Sequence, residues 1–168
     1  MNPALPKNYK LDSTRKGGVK LLLTRELGRL AKWLRILGYD TEYFKEGNIS
    51  SLIIQALRDN RIIITRNHRL PRSAGLRIVL LEGEKLKEQL REALKALGVS
   101  LDNALMFSRC IICNEELADI AKEKIKDRVP EYVFNTQEDF ISCPKCGRIY
   151  WKGTHWGNVE TILKELAQ

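Results

Sequence analysis

Cys110-Ile-Ile-Cys113 and Cys143-Pro-Lys-Cys146 are two CxxC pairs separated by 29 residues, and no other feature limits this chain so tightly. Two residues between thiols let both sulfurs of one tight turn face a single ion. Two such turns complete a tetrahedral shell with metal–sulfur distances of ~2.3 Å. Thiolate softness selects zinc or iron over hard cations. The gap between the pairs suits a three-stranded zinc ribbon, and Gly147 supplies the residue such a turn needs. A closed four-thiolate shell has no open position for water, so Cys110, Cys113, Cys143 and Cys146 are expected to hold structural zinc. Two disulfides are the rival use of the same residues. The N-terminal MNPALPKNYKLDSTRKGG lacks the apolar core of a secretory signal, which points to the cytoplasm, where thiols stay reduced. A redox pair is disfavoured because neither CxxC opens a helix after a strand.

Upstream of the cysteines the chain alternates. Val19–Leu23 is a short apolar run suited to a buried strand, and Leu27, Leu30, Ala31, Leu34 and Leu37 then recur at helical spacing up to Gly38. Strands are expected at Thr41–Phe44, Arg61–Thr65 and Arg77–Leu81. Helices are expected at Ser50–Leu57 and Glu84–Leu97, with a turn around Leu70. Strand and helix in turn, with short connections, imply parallel strands joined by right-handed crossovers in an open α/β sheet of four or five strands. After residue 105 the alternation stops. The expected organisation is a flexible basic arm (1–18), an α/β domain (19–105), a zinc ribbon (106–156) and a C-terminal helix (157–168). No run approaches the ~18 apolar residues of a membrane span.

Charge is divided unevenly. The chain carries a formal +8, yet residues 1–107 hold 20 basic and 11 acidic side chains while residues 108–168 hold 9 and 10. Excess positive charge confined to the first two thirds attracts polyanions, RNA or DNA foremost. A solvated Lys- and Glu-rich surface is the plain alternative.

Leu27-Gly28-Arg29-Leu30-Ala31-Lys32-Trp33-Leu34-Arg35-Ile36-Leu37-Gly38-Tyr39-Asp40 resembles the opening signature of the Mut-seven carboxyl-terminal RNase domain family. So do Ile64-Thr65-Arg66, Phe107-Ser108-Arg109-Cys110 through Cys113-Asn114, Asp127-Arg128-Val129-Pro130, and Tyr150-Trp151-Lys152-Gly153-Thr154-His155-Trp156, in order along residues 19–156. The resemblance implies a PIN-like open parallel sheet with flanking helices, a C-terminal zinc ribbon, and RNA as substrate class. It also implies one or two Mg²⁺ or Mn²⁺ ions held by carboxylates near the C-terminal ends of the strands, where they activate water and neutralise the leaving oxygen. The family pattern expects aspartates just after strand one, early in the second helix, and in a Thr-Arg-Asp triplet. Thr24, Ser50 and Asn67 stand there instead. Asp40 survives as a possible remnant, but at the start of a strand, on the opposite edge from the expected site. Glu26, Glu46, Glu82 and Glu84 are the carboxylates available to rebuild part of it. Neutral ligands give Mg²⁺ little compensation for lost hydration, so the nuclease site is expected to be degenerate.

Removing carboxylates from a cleft leaves it more positive. Arg25, Arg66, His68, Arg69 and Arg72 follow the ends of strands one and three, and Arg29 and Lys32 extend the charge along the first helix. Guanidinium groups suit bidentate phosphate contact, so this edge is expected to hold an RNA backbone without cutting it. Each residue taken alone reads as a solvated surface group. Trp33, Trp151 and Trp156 are expected to pack rather than stack on bases, and His155 to lie beside the ribbon. The resulting expectation is an RNA-binding protein, with a ribosome or another structured RNA as target. Two other readings remain open: an active metal-dependent ribonuclease, with Mg or Mn as cofactor, and a zinc-ribbon module that binds a protein partner.

Overall fold

A computed structural model describes residues 18–71, 75–99, 105–151, 159, 161 and 162. Residues 1–17 of the expected arm, Arg72, His155, Trp156 and most of the expected C-terminal helix lie outside the described residues.

Four parallel strands form the central sheet: β1 (Lys20–Leu23), β2 (Asp40–Tyr43), β3 (Ile62–Thr65) and β4 (Ile78–Leu80), in the order β2-β1-β3-β4. β1 and β3 are interior strands covered on both faces, which is why they read as unbroken Leu and Ile runs rather than alternating patterns. Leu21 and Leu23 point to one side, where they pack with α1 (Gly28–Ile36) and α3 (Leu86–Leu97). Leu22 and Ile63 point to the other, against Leu52 and Ala56 of α2 (Ile49–Arg58). The result is a three-layer α/β/α arrangement, with most of the apolar burial on the α1/α3 side. Each fully buried Leu there stabilises the fold by roughly 1.5–3 kcal/mol.

α1 presents Leu30, Ala31 and Leu34 to this core, and Gly38 follows its C-cap Leu37. Gly38 has φ +89°, and a Cβ on it would lie 2.2 Å from the Leu105 carbonyl oxygen. No other residue fits that stop. A 3₁₀ turn, Arg25–Leu27, precedes α1, and α2 starts at Ile49, one residue before the expected Ser50, because Asn48 caps it by accepting the Ser51 N–H at 2.9 Å.

Beyond residue 105 a second, antiparallel sheet forms from β5 (Ala118–Asp119), β6 (Phe140–Ser142) and β7 (Ile149–Trp151), in that spatial order. Between β5 and β6 lie a 3₁₀ turn, Lys122–Ile125, and a six-residue helix, α4 (Glu131–Thr136). The sequence pattern announced no helix here, because six residues are too few to display a 3.6-residue period. Ile125, Val133 and Phe140 form a small core of their own, with Trp151 packed against it. Val159 returns to the main core instead, so the chain closes back on the α/β body after the three-stranded sheet. Among the described residues no helix is long and apolar enough to cross a membrane.

Candidate metal centre and sheet-edge crevice

The two CxxC turns share one backbone plan. Cys110 N–H donates to Glu115 O at 2.8 Å and Cys143 N–H to Arg148 O at 2.9 Å. Asn114 N–H and Gly147 N–H reach back to Cys110 O and Cys143 O, both at 2.9 Å. The residue after each second cysteine turns left-handed, Gly147 at φ 69° and Asn114 at φ 66°. Glycine does this freely, and asparagine is the side chain best able to follow. The four Sγ atoms lie within 4.8 Å of one another, with Cys110–Cys146 at 3.7 Å and Cys113–Cys143 at 3.3 Å. A tetrahedron with ~2.3 Å metal–sulfur bonds has edges of about 3.8 Å, so the cluster is compatible with structural zinc. Burial raises the Cys110 thiol, but hydrogen bonding from the Tyr150 hydroxyl at 3.1 Å and from the Cys113 and Ile112 backbone outweighs it, bringing the thiol down to about 6.

This first turn is fastened to the α/β body. Asn114 accepts the Thr41 N–H at 2.9 Å and donates to Asp40 Oδ1 at 2.7 Å. Arg35, near the end of α1, donates from Nε to Thr41 O at 2.8 Å, and from one NH group to Ile111 O and Ile112 O at 2.9 and 2.8 Å. Arg61 pairs with Asp40 at 2.8 Å and with Glu42 at 2.7 Å. Burial raises the Asp40 carboxyl, yet the Arg61 and Asn114 hydrogen bonds hold it below its ordinary value. Asp40 sits opposite Lys20, at the N-terminal edge of the sheet, so it belongs to this junction and not to the crevice at the other end.

That crevice opens where the strand order reverses, between the C-terminal ends of β1 and β3, the position at which doubly wound sheets bind ligands. Thr24 N–H continues the pairing to Ile64 O at 3.1 Å, which sets Thr24 beside Thr65, their hydroxyl oxygens 2.9 Å apart. A groove of about 160 Å³ follows, lined by Thr24, Glu26, Lys45, Asn48 and Asn67 among others. The polar residue that lines it from the start of α2 is the cap Asn48, next to Ile49; Ser50 is exposed and is not part of the lining. Glu26 Oε1 accepts from the Thr24 hydroxyl at 2.5 Å, the Arg66 N–H at 3.0 Å and the Thr65 hydroxyl at 3.2 Å. Burial raises the Glu26 carboxyl, and these donors more than offset it, so the group lies below its ordinary value. Glu82 is 3.4 Å from His68, and Glu84 is 3.7 Å from Arg66.

The family description Mut7-C RNAse domain matches residues 19–163. The chain belongs to the Mut7-C RNase domain family. No curated protein and no solved structure matches it. Membership points to a nuclease-like role on nucleic acid, and the four-cysteine cluster to metal binding.

In this Mut7-C chain the basic residues named from the sequence divide by place. Arg25 opens the 3₁₀ turn at the crevice mouth, where its carbonyl accepts the Tyr43 hydroxyl, and Arg29 lies in the first turn of α1. Lys32 is a turn farther along the same exposed face. Arg66, His68 and Arg69 follow β3, with Arg69 N–H bound to Asn67 Oδ1 at 3.0 Å. Arg66 is half-buried, and its Nε–H has no partner among the described residues. Lys45 and Asn48 were missed as crevice residues. The legible signal was Asn48 itself, an N-cap residue placed directly before a helical run.

Proposed function

We propose that this Mut7-C protein binds RNA through the C-terminal edge of its parallel sheet and has lost the metal-dependent cleavage the family name implies. The observation that carries the reading is the occupation of the one carboxylate lining the groove, Glu26, by the protein's own donors. Glu26 takes two hydroxyls and a backbone N–H, while Glu82 and Glu84 stand exposed outside the groove lining. Thr24, Asn48 and Asn67, which line the groove with Glu26, are neutral. Mg²⁺ or Mn²⁺ demands several oxygen anions arranged around a hydrated ion. This donor set does not fit, and no chemical step is assigned to such a metal.

What the edge does offer is cationic. Arg25 and Lys45 line the crevice, Arg29 lies in the first turn of α1 and Arg66 and Arg69 follow β3, and a phosphodiester backbone is the polyanion they suit. On this reading the PIN-like body of residues 19–105 supplies the RNA face, and the ribbon of residues 106–156, closed by structural zinc, holds the body's other end. A ribosomal or similarly structured RNA is the preferred target.

The test is incubation of the purified protein with labelled structured and single-stranded RNA, with Mn²⁺ or with EDTA. Retention that falls steeply with salt, without cleavage, supports the proposal. EDTA-sensitive cleavage would replace it with the enzymatic reading. Co-purification of a stoichiometric protein, with no RNA retained, would point to the interaction module instead.

A further inference from the structure

We infer that the crevice contains a preformed site for one phosphate oxygen, built from the Thr24 and Thr65 hydroxyls and the Arg66 backbone N–H, and that Glu26 occupies it as a built-in competitor. The inference deepens the reading of this edge as the RNA face and rests on it for the identity of the anion's carrier.

The donors converge on a single atom. Glu26 Oε1 lies 2.5 Å from Thr24 Oγ1, 3.2 Å from Thr65 Oγ1 and 3.0 Å from Arg66 N. Hydroxyls and a backbone N–H aimed at one negative oxygen are the recognition elements of a phosphate site, and they discriminate little between a carboxylate and a phosphodiester oxygen. Their positions are set by the scaffold and not by Glu26. Thr65 ends β3, its Oγ1 also accepts the Asn67 N–H at 3.0 Å, and the Thr24 N–H is bonded to Ile64 O at 3.1 Å. Glu26 is itself an exposed residue of the 3₁₀ turn and belongs to neither strand, so its carboxylate can leave without disturbing them. Arg66 adds a second observation: its buried Nε–H is unpartnered among the described residues, a spare donor on the residue whose N–H already serves the site. An RNA phosphate entering here displaces the Glu26 carboxylate and inherits its donors, so the resting protein suppresses its own affinity for polyanions.

Two arms test this on the full chain: Glu26→Ala, with Glu26→Gln as the conservative variant. In thermal melts, 10–50 mM inorganic phosphate is used on the order of weak anion sites and should raise the melting temperature of Glu26→Ala clearly more than that of wild type. In anisotropy titrations of single-stranded RNA in EDTA, Glu26→Ala should bind about five- to ten-fold tighter than wild type, with Glu26→Gln between them because its amide oxygen still competes. Far-UV spectra and melts without phosphate verify folding.

Equal phosphate responses in folded wild type and Glu26→Ala would overturn the inference. So would equal or weaker RNA binding by both variants when wild type binds, and that outcome would leave the RNA reading standing. Selective phosphate stabilisation of Glu26→Ala, with no RNA retained by any form, would uphold the oxyanion site and remove the RNA reading.

Discussion

Replacing Asn114 by alanine removes two hydrogen bonds and a conformational preference at once, and the three contributions separate experimentally. Asn114 is 9% exposed, and its Oδ1 is the acceptor for the backbone N–H of Thr41, a residue with no exposure at all. Leaving that N–H orphaned costs about 1–3 kcal/mol. The bond to Asp40 is charge-assisted, but Asp40 keeps Arg61 at 2.8 Å, so its loss is set at the low end, about 1 kcal/mol. Alanine at φ 66° adds about 1 kcal/mol of left-handed strain that asparagine tolerates. The sum is about 4 kcal/mol for Asn114→Ala, and about 3 kcal/mol for Asn114→Gly, which escapes the strain. For a chain of this size that corresponds to a fall in melting temperature on the order of 10 °C. The assay is urea and thermal unfolding followed by far-UV circular dichroism with stoichiometric zinc, and metal content measured in parallel. Asn114→Asp keeps the acceptor for Thr41 but sets a carboxylate against Asp40. It should be less stable than Asn114→Gly at neutral pH and recover as pH falls into the carboxylate range. The reasoning fails if Asn114→Ala lies within about 0.5 kcal/mol of wild type, the ordinary range of an inconsequential surface change. It also fails if glycine proves no better than alanine.

Arg35→Lys gives up a fork that reaches Thr41, Ile111 and Ile112, and should destabilise by about 2 kcal/mol in the same unfolding assay. Chelating the metal should lower the melting temperature of the whole chain and not only of the three-stranded sheet, because Cys110–Asn114 is bonded to α1 and β2; hydrogen exchange at Thr41 would read this directly. Glu26 and Asp40 have folded-state values below their ordinary 4.5 and 3.8, so their stabilisation is complete above those values and is lost as pH falls through the lower, folded ones. Stability should therefore hold from neutral pH to about 4.5 and drop below it, with a shallower drop in Asp40→Asn, as acid titration by circular dichroism would show. Arg66→Glu combined with Arg69→Glu should weaken RNA binding and reduce the salt slope by about 1.4 in log–log units for single-stranded RNA.

The scaffold was legible because its signals are strong and local. Strands β1 and β3 are buried on both faces and appear as Leu and Ile runs. α1 carries a full apolar stripe, and Gly38 marks a stop that a side chain cannot occupy. The four cysteines announced their own cluster by spacing alone. The junction was opaque for the opposite reason. Arg35 reads as one more cation on a basic helix, and only the folded chain reveals it buried against three carbonyl oxygens contributed from residues 41, 111 and 112. Asp40 and Asn114 are 74 positions apart, and nothing local in either marks the other as its partner. At the crevice the family pattern drew attention to the positions where aspartates are expected. Glu26, two residues beyond Thr24, proved to be the carboxylate that meets both threonines. Its importance depends on the register between β1 and β3, which is tertiary information.

The ribbon grips the sheet at the end where the strands begin, by way of Asn114, Asp40 and Arg61, and the groove lies at the end where they finish. Foundation and mouth thus share no side chains. A lineage can rewrite every polar group at the mouth, exchanging a cutting tool for a clasp, while the masonry beneath stays sound.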